Sequence, residues 1–153
     1  LLLLLCIMYC VFFVVHQQFN MPGFYLFIQD LIIIGFSEEY LYRGVMYSIM
    51  KKENTALAIV LSSLFRGITH AVYPTVVVGG DLSVFLTDCI SNIGFGLFIG
   101  YGFIYVFEES KTLWIPILLH AVYDYSMGYG WIIFVGTVMY LYIVNKGGHT
   151  RQK

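Results

Sequence analysis

Residues 24–50 read FYLFIQDLIIIGFSEEYLYRGVMYSIM, an apolar run that carries Glu38, Glu39 and Arg43 in its interior. Its length exceeds the roughly 20 residues that a helix needs to cross the hydrocarbon core of a bilayer. Charged groups inside such a run are costly, about 2.5 kcal/mol each even on lenient insertion scales, so they tend to be paired and functional. The reading of this stretch as a membrane helix with built-in acids decides the rest.

The whole chain supports it. Of the 153 residues, 59% are hydrophobic and 11% charged, too little polar surface to cover a soluble domain of this size. Mean hydropathy is +0.81. Charged and polar clusters divide the sequence into six apolar segments: Leu1 to Val15, Phe24 to Met50, Thr55 to Tyr73, Leu82 to Phe107, Thr112 to Met127 and Trp131 to Val144. The expectation is an all-α, polytopic transmembrane bundle of about six helices forming one domain over residues 1–153, integral to the cell membrane. The chain opens on leucines without an initiator Met, so a missing natural N-terminus is expected. The net charge of −1 offers no basic patch, and nucleic acid is not an expected partner. Cys6, Cys10 and Cys89 show no pairing pattern and read as small buried hydrophobes. Gly96 and Gly100 have the small-xxx-small spacing that lets helices approach closely.

Ionisable residues recur within these segments: Glu38, Glu39, Arg43, Arg66, His70, Asp88, His120 and Asp124. A rise of about 1.5 Å per residue places Glu38 ~20 Å from Lys51, His70 ~22 Å from Thr55, and His120 and Asp124 ~14 and ~20 Å from Lys111. Three segments therefore deliver a Glu, a His and a His/Asp pair to a similar depth. Glu39 and Arg43 are four apart with the acid first, the favourable order for an ion pair. His120 and Asp124 share a face, whereas Glu38 is turned about 100° from Glu39. A base for water and donors for an oxyanion are what peptide hydrolysis requires.

The motifs resemble a known family. Glu38-Glu39-Tyr40-Leu41-Tyr42-Arg43 fits the EExxxR motif of the CPBP family, the CAAX proteases and bacteriocin-processing (Abi) proteins, which includes the type II CAAX prenyl endopeptidases. The stretch Thr112-Leu113-Trp114-Ile115-Pro116-Ile117-Leu118-Leu119-His120, followed by Asp124, is similar to the family's HxxxN/D region. The FxxxH motif is met in part: His70 is present, Arg66 stands four before it, and the Phe is at 65. The resemblance covers about residues 28–125. It implies that Glu38 is the general base, that His70 shares the binding of the water, and that His120 and Asp124 stabilise the oxyanion. Glu39 and Arg43 would hold their helix in place. The substrate would be a membrane-associated protein or peptide met within the lipid bilayer, with prenylated CAAX-type chains as one candidate class.

Alternatives stay open at this level. No cofactor is required in the preferred reading, but Glu38, His70, His120 and Asp124 are also a possible Zn²⁺ ligand set, although the chain has no HExxH motif. A non-catalytic bacteriocin-immunity or scaffold protein of the same fold is a second alternative, and a small proton-coupled transporter a third. Lys51, Lys52, Lys111, Lys146, Arg151 and Lys153 fall in alternate loops and the tail, which places these on the cytoplasmic side. With the native cysteines replaced by Ser, Glu53→Cys should label only from the cytoplasmic side and Asp81→Cys only from the opposite side. Same-side labelling of both would refute this topology.

Overall fold

A computed structural model describes residues 1–150. It is all-α, with no strand among the described residues. The expected apolar segments become helices α1 (Leu2–His16), α2 (Met21–Ile28), α3 (Thr55–Val78), α4 (Leu82–Ser110), α5 (Trp114–Tyr125) and α6 (Gly130–Thr150). After α2 the chain stays helical but changes pitch: π-helical stretches at Gln29–Phe36 and Tyr40–Tyr47 alternate with single α turns at Ser37–Glu39 and Ser48–Met50. Among the described residues, three helices, spanning Thr55–Val77, Leu82–Ser110 and Gly130–Gly147, are long and apolar enough to cross a membrane. The protein is a helical membrane protein.

The caps are local and polar. Asn20 accepts from Gly23 N at 2.8 Å to start α2, Asn54 from Leu57 N at 2.9 Å to start α3, and Asp81 from Val84 N at 3.0 Å to start α4. These residue types satisfy N–H groups that have no partner within the helix. Helix α3 does not end before position 74, as the proline there led us to expect. It continues to Val78 and stops at Gly79, whose φ of 77° gives the left-handed turn that glycine adopts without strain.

The chain divides into two compact units, Leu1–Tyr40 with Tyr105–Lys153, and Leu41–Ile104. In the first, α5 is the centre. Its 12 residues reach only about 18 Å, so it is shorter than the full membrane helix expected for the fifth segment. Nine of those residues, from Ile115 to Val122 together with Tyr125, are buried, and α1, α6 and the π-helical stretch Gln29–Phe36 pack around it. A helix buried along most of its length belongs in a core. Tyr9 and Phe27 stack at 4.4 Å, Tyr9 meets Tyr125 at 5.4 Å, and the His16 ring lies on Tyr125 at 4.4 Å. Tyr9 also donates to the Phe27 carbonyl, and His16 Nε2 donates to the Tyr125 carbonyl at 2.8 Å, so polar bonds fasten both ends of the aromatic stack. The opposite face of α1 exposes Leu3, Ile7, Val11 and Val14, which suits lipid.

In the second unit, small residues bring α3 and α4 together. A Cβ on Gly67 would stand 2.9 Å from the Asn92 carbonyl, one on Gly96 would stand 3.0 Å from Gly67 Cα, and one on Gly100 would overlap Ser63. The expected close contact at Gly96 and Gly100 is therefore present, whereas Gly94 faces open space. Tyr42 is buried and bonds to Thr69 Oγ1 at 2.6 Å, and the buried Arg43 guanidinium lies 5.1 Å from the centre of the Phe103 ring.

In the first unit, one glycine governs how closely the acid-bearing segment approaches α5. A Cβ on Gly35 would sit 3.0 Å from the Ile117 carbonyl oxygen and 3.4 Å from Ala121 N, so the absence of a side chain lets this backbone rest on α5. Gly35→Val should lower the thermal unfolding temperature in detergent, at a cost of about 1–3 kcal/mol for overpacking. Gly94→Ala, by contrast, should change stability by less than about 0.5 kcal/mol. Equal effects from the two would contradict the packing at Gly35.

Candidate functional site

The contact at Gly35 fixes the position of the next helical turn. Glu38 and Glu39 follow it by three and four residues, on a single α turn between the two π-helical stretches. Residues at those offsets lie over the same side of a helix, so both acids are carried toward α5. On α5, Ile117 and Ala121 meet Gly35, and His120 lies between them in sequence. Wide π turns inside otherwise α-helical segments are frequent at functional sites, because they alter which side chains face inward.

His120 is the hub. Its Nδ1 lies 2.8 Å from Glu39 Oε1. On the other side of the ring, Nε2 lies 3.3 Å from Asp124 Oδ2 and 3.8 Å from Glu38 Oε2. Three carboxyl groups thus surround one imidazole. Burial divides them: Glu39 is 0% exposed and His120 1%, whereas the side chains of Glu38 and Asp124 are 24% and 34% exposed. The Nδ1 side is sealed in the core, while the Nε2 side opens toward groups that an incoming molecule can reach.

The pair of His120 and Glu39 places Nδ1 against Glu39 and leaves Nε2 as the nitrogen presented to Glu38 and Asp124. The 3.8 Å between Nε2 and Glu38 is too long for a direct hydrogen bond, while 3.3 Å to Asp124 is within reach of one. Chemically, the cluster offers a carboxylate that can take a proton beside a nitrogen that can give or receive one.

Asp30 escaped the sequence reading although it, too, lies in the second apolar segment. It is half-buried in the first π-helical stretch and within electrostatic range of Asp124, His120 and His16. The signal that would have found it is the one used for Glu38, an acid inside a membrane segment. Gly35 was missed as well, since close backbone approach leaves no mark in a lone glycine.

The remaining expected residues, Arg43 and His70, belong to the second unit. His70 lies on α3 and is exposed. Arg66, which stands where the resembling motif has Phe, is 7% exposed, and its carbonyl accepts from Thr69 Oγ1 at 2.9 Å, while Phe65 is exposed. Asp88 is half-buried, and its carbonyl accepts from Asn92 Nδ2 at 2.8 Å. Among the described residues, no group of three or more His, Cys, Asp or Glu side chains is arranged to hold a metal ion.

Comparison with known proteins adds one finding. The model of the Rce1-like type II CAAX prenyl endopeptidases matches residues 3–126, a range that includes Glu38, Glu39, His70, His120 and Asp124. No curated protein and no solved structure matches the chain. The family match covers most of the 153 residues, and the chain belongs to the Rce1-like type II CAAX prenyl endopeptidase family, a family of proteases.

Proposed function

We propose that the protein is an intramembrane endopeptidase that hydrolyses a peptide bond in a membrane-associated substrate of the prenylated CAAX type. The observation that carries this reading is the pairing of Glu38 and Asp124 on the reachable side of His120. Glu38 acts as the general base. A separation of 3.8 Å between its Oε2 and His120 Nε2 suits a shared water better than a direct bond. Attack of that water on the scissile carbonyl moves the water's proton to Glu38 and leaves negative charge on the carbonyl oxygen. His120 and Asp124 then stabilise that oxyanion through donated hydrogen bonds: His120 does so from Nε2 as an imidazolium whose Nδ1 proton stays on the Glu39 side, and Asp124 as its protonated acid, since a carboxylate has no proton to donate. Collapse of the intermediate returns the proton from Glu38 to the leaving amine.

His70 enters this proposal through its motif position, as a residue that shares the water. No step is routed through a metal, and the cytoplasmic placement of the basic loops remains part of the reading.

Purified protein incubated with a farnesylated CAAX peptide should release the C-terminal tripeptide, detected by mass spectrometry. Glu38→Gln, close to isosteric, should slow the reaction by about 10²–10⁴-fold, the usual contribution of a positioned general base. His120→Ala and His70→Ala should each reduce it strongly. Cleavage at the wild-type rate by Glu38→Gln would remove the mechanism. A zinc-dependent enzyme would instead show stoichiometric metal and lose activity on chelation.

A further inference from the structure

The two consecutive glutamates differ in surroundings more than a shared supporting role would require. Glu39 is wholly buried, and one of its oxygens lies 2.8 Å from His120 Nδ1, itself on a residue 1% exposed. Glu38, one position earlier, is 24% exposed and faces the opposite nitrogen of the same ring. A fully buried carboxylate is expensive unless it is hydrogen-bonded, and a buried imidazole has two tautomers unless a partner selects one.

From this geometry we propose that Glu39 is the positioning residue for His120. It accepts the Nδ1 proton, fixes the ring's tautomer and rotation, and thereby commits Nε2 to the reacting side. The kinetic part of this inference rests on the peptidase reading above, whereas the tautomer part does not. The bond does for His120 what an orienting carboxylate does for any histidine that must present one nitrogen to chemistry. It gives Glu39 a task on α5 as well as on its own helix. The backbone contact at Gly35 helps to make it possible, since Gly35 brings the turn that carries Glu39 onto α5.

Nitrogen-15 spectra of histidine-labelled full-length protein in detergent test it directly, with His120 assigned by the signal lost in His120→Asn. In the wild type, Nδ1 of His120 should be protonated. Glu39→Gln offers an amide that can donate as well as accept, so it should redistribute the proton between the two nitrogens. Asp124→Asn changes the partner at Nε2 and should leave Nδ1 protonated. With the farnesylated peptide, Glu39→Gln should lower kcat by about 10²–10⁴-fold with little change in KM, the magnitude seen when an orienting carboxylate is neutralised. A His120 spectrum that is the same in wild type and Glu39→Gln would overturn the proposal, as would a wild-type Nδ1 without a proton or an unchanged kcat. If Glu39→Gln fails to fold, Glu39→Asp carries the same readout: its shorter reach should shift the Nδ1 resonance, and an unshifted one counts against the inference. A changed tautomer with no cleavage by any form would leave the positioning role standing and refute the peptidase instead.

Discussion

A hydrogen bond sealed away from both water and lipid, between His120 Nδ1 and Glu39, is the constraint on which the first unit turns. Removing either partner from such a bond leaves a buried polar group unsatisfied, which costs far more than the bond contributes on balance. Both residues therefore depend on the backbone being close enough to bring them together. Gly35 provides that closeness against Ile117 and Ala121, and any side chain there would push the acids away from α5. The chemistry of the cluster and the packing of the helices are in this sense one requirement.

The helix that carries His120 is short, buried and apolar, and its setting explains the distribution of hydrophobic residues around it. Tyr9, Phe27, Tyr125 and His16 form an aromatic wall between α1, α2 and α5, closed by hydrogen bonds to two main-chain carbonyls. Within a membrane, burial of apolar surface gives little reason for helices to associate, since lipid is equally apolar. Packing contacts and polar bonds take over that role, as at the aromatic wall here and at the glycine contacts between Gly67 and Gly96 in the second unit.

Much of this was legible in the sequence, for a physical reason. Charged stretches at residues 51–54 and 108–111 interrupt long apolar runs, the second of them as the last turn of α4 and the residue after it, and capping residues such as Asn54 and Asp81 mark helix starts with little ambiguity. The association of Glu38, His120 and Asp124 was also readable, because intramembrane charge is rare enough to be informative. Other features left no such trace. The π-helical stretches 29–36 and 40–47 alter the facing of side chains without altering hydropathy. The shortness of α5 was hidden because Leu113 and Met127 beside it are apolar too. The bond from Glu39 to α5 was hidden as well, since spacing along one helix reveals Arg43 as a neighbour and cannot reveal a residue 81 positions away. Asp30 was overlooked in the same run that drew attention to Glu38, Glu39 and Arg43.

Two acids side by side can address one histidine from two directions. Consecutive helical positions point about 100° apart, so one turn can send one carboxylate inward and leave the other accessible. Here the inward one meets Nδ1 of His120, and the accessible one approaches Nε2. A single histidine is thereby held from behind and approached from the front by neighbours in sequence, and any shift of the turn moves both relations at once. Such coupling resists gradual replacement: a longer or shorter side chain at either position disturbs the other's geometry through the ring they share. On these grounds the Glu-Glu pair is better understood as one device with two faces than as an accessible acid followed by a spare charge.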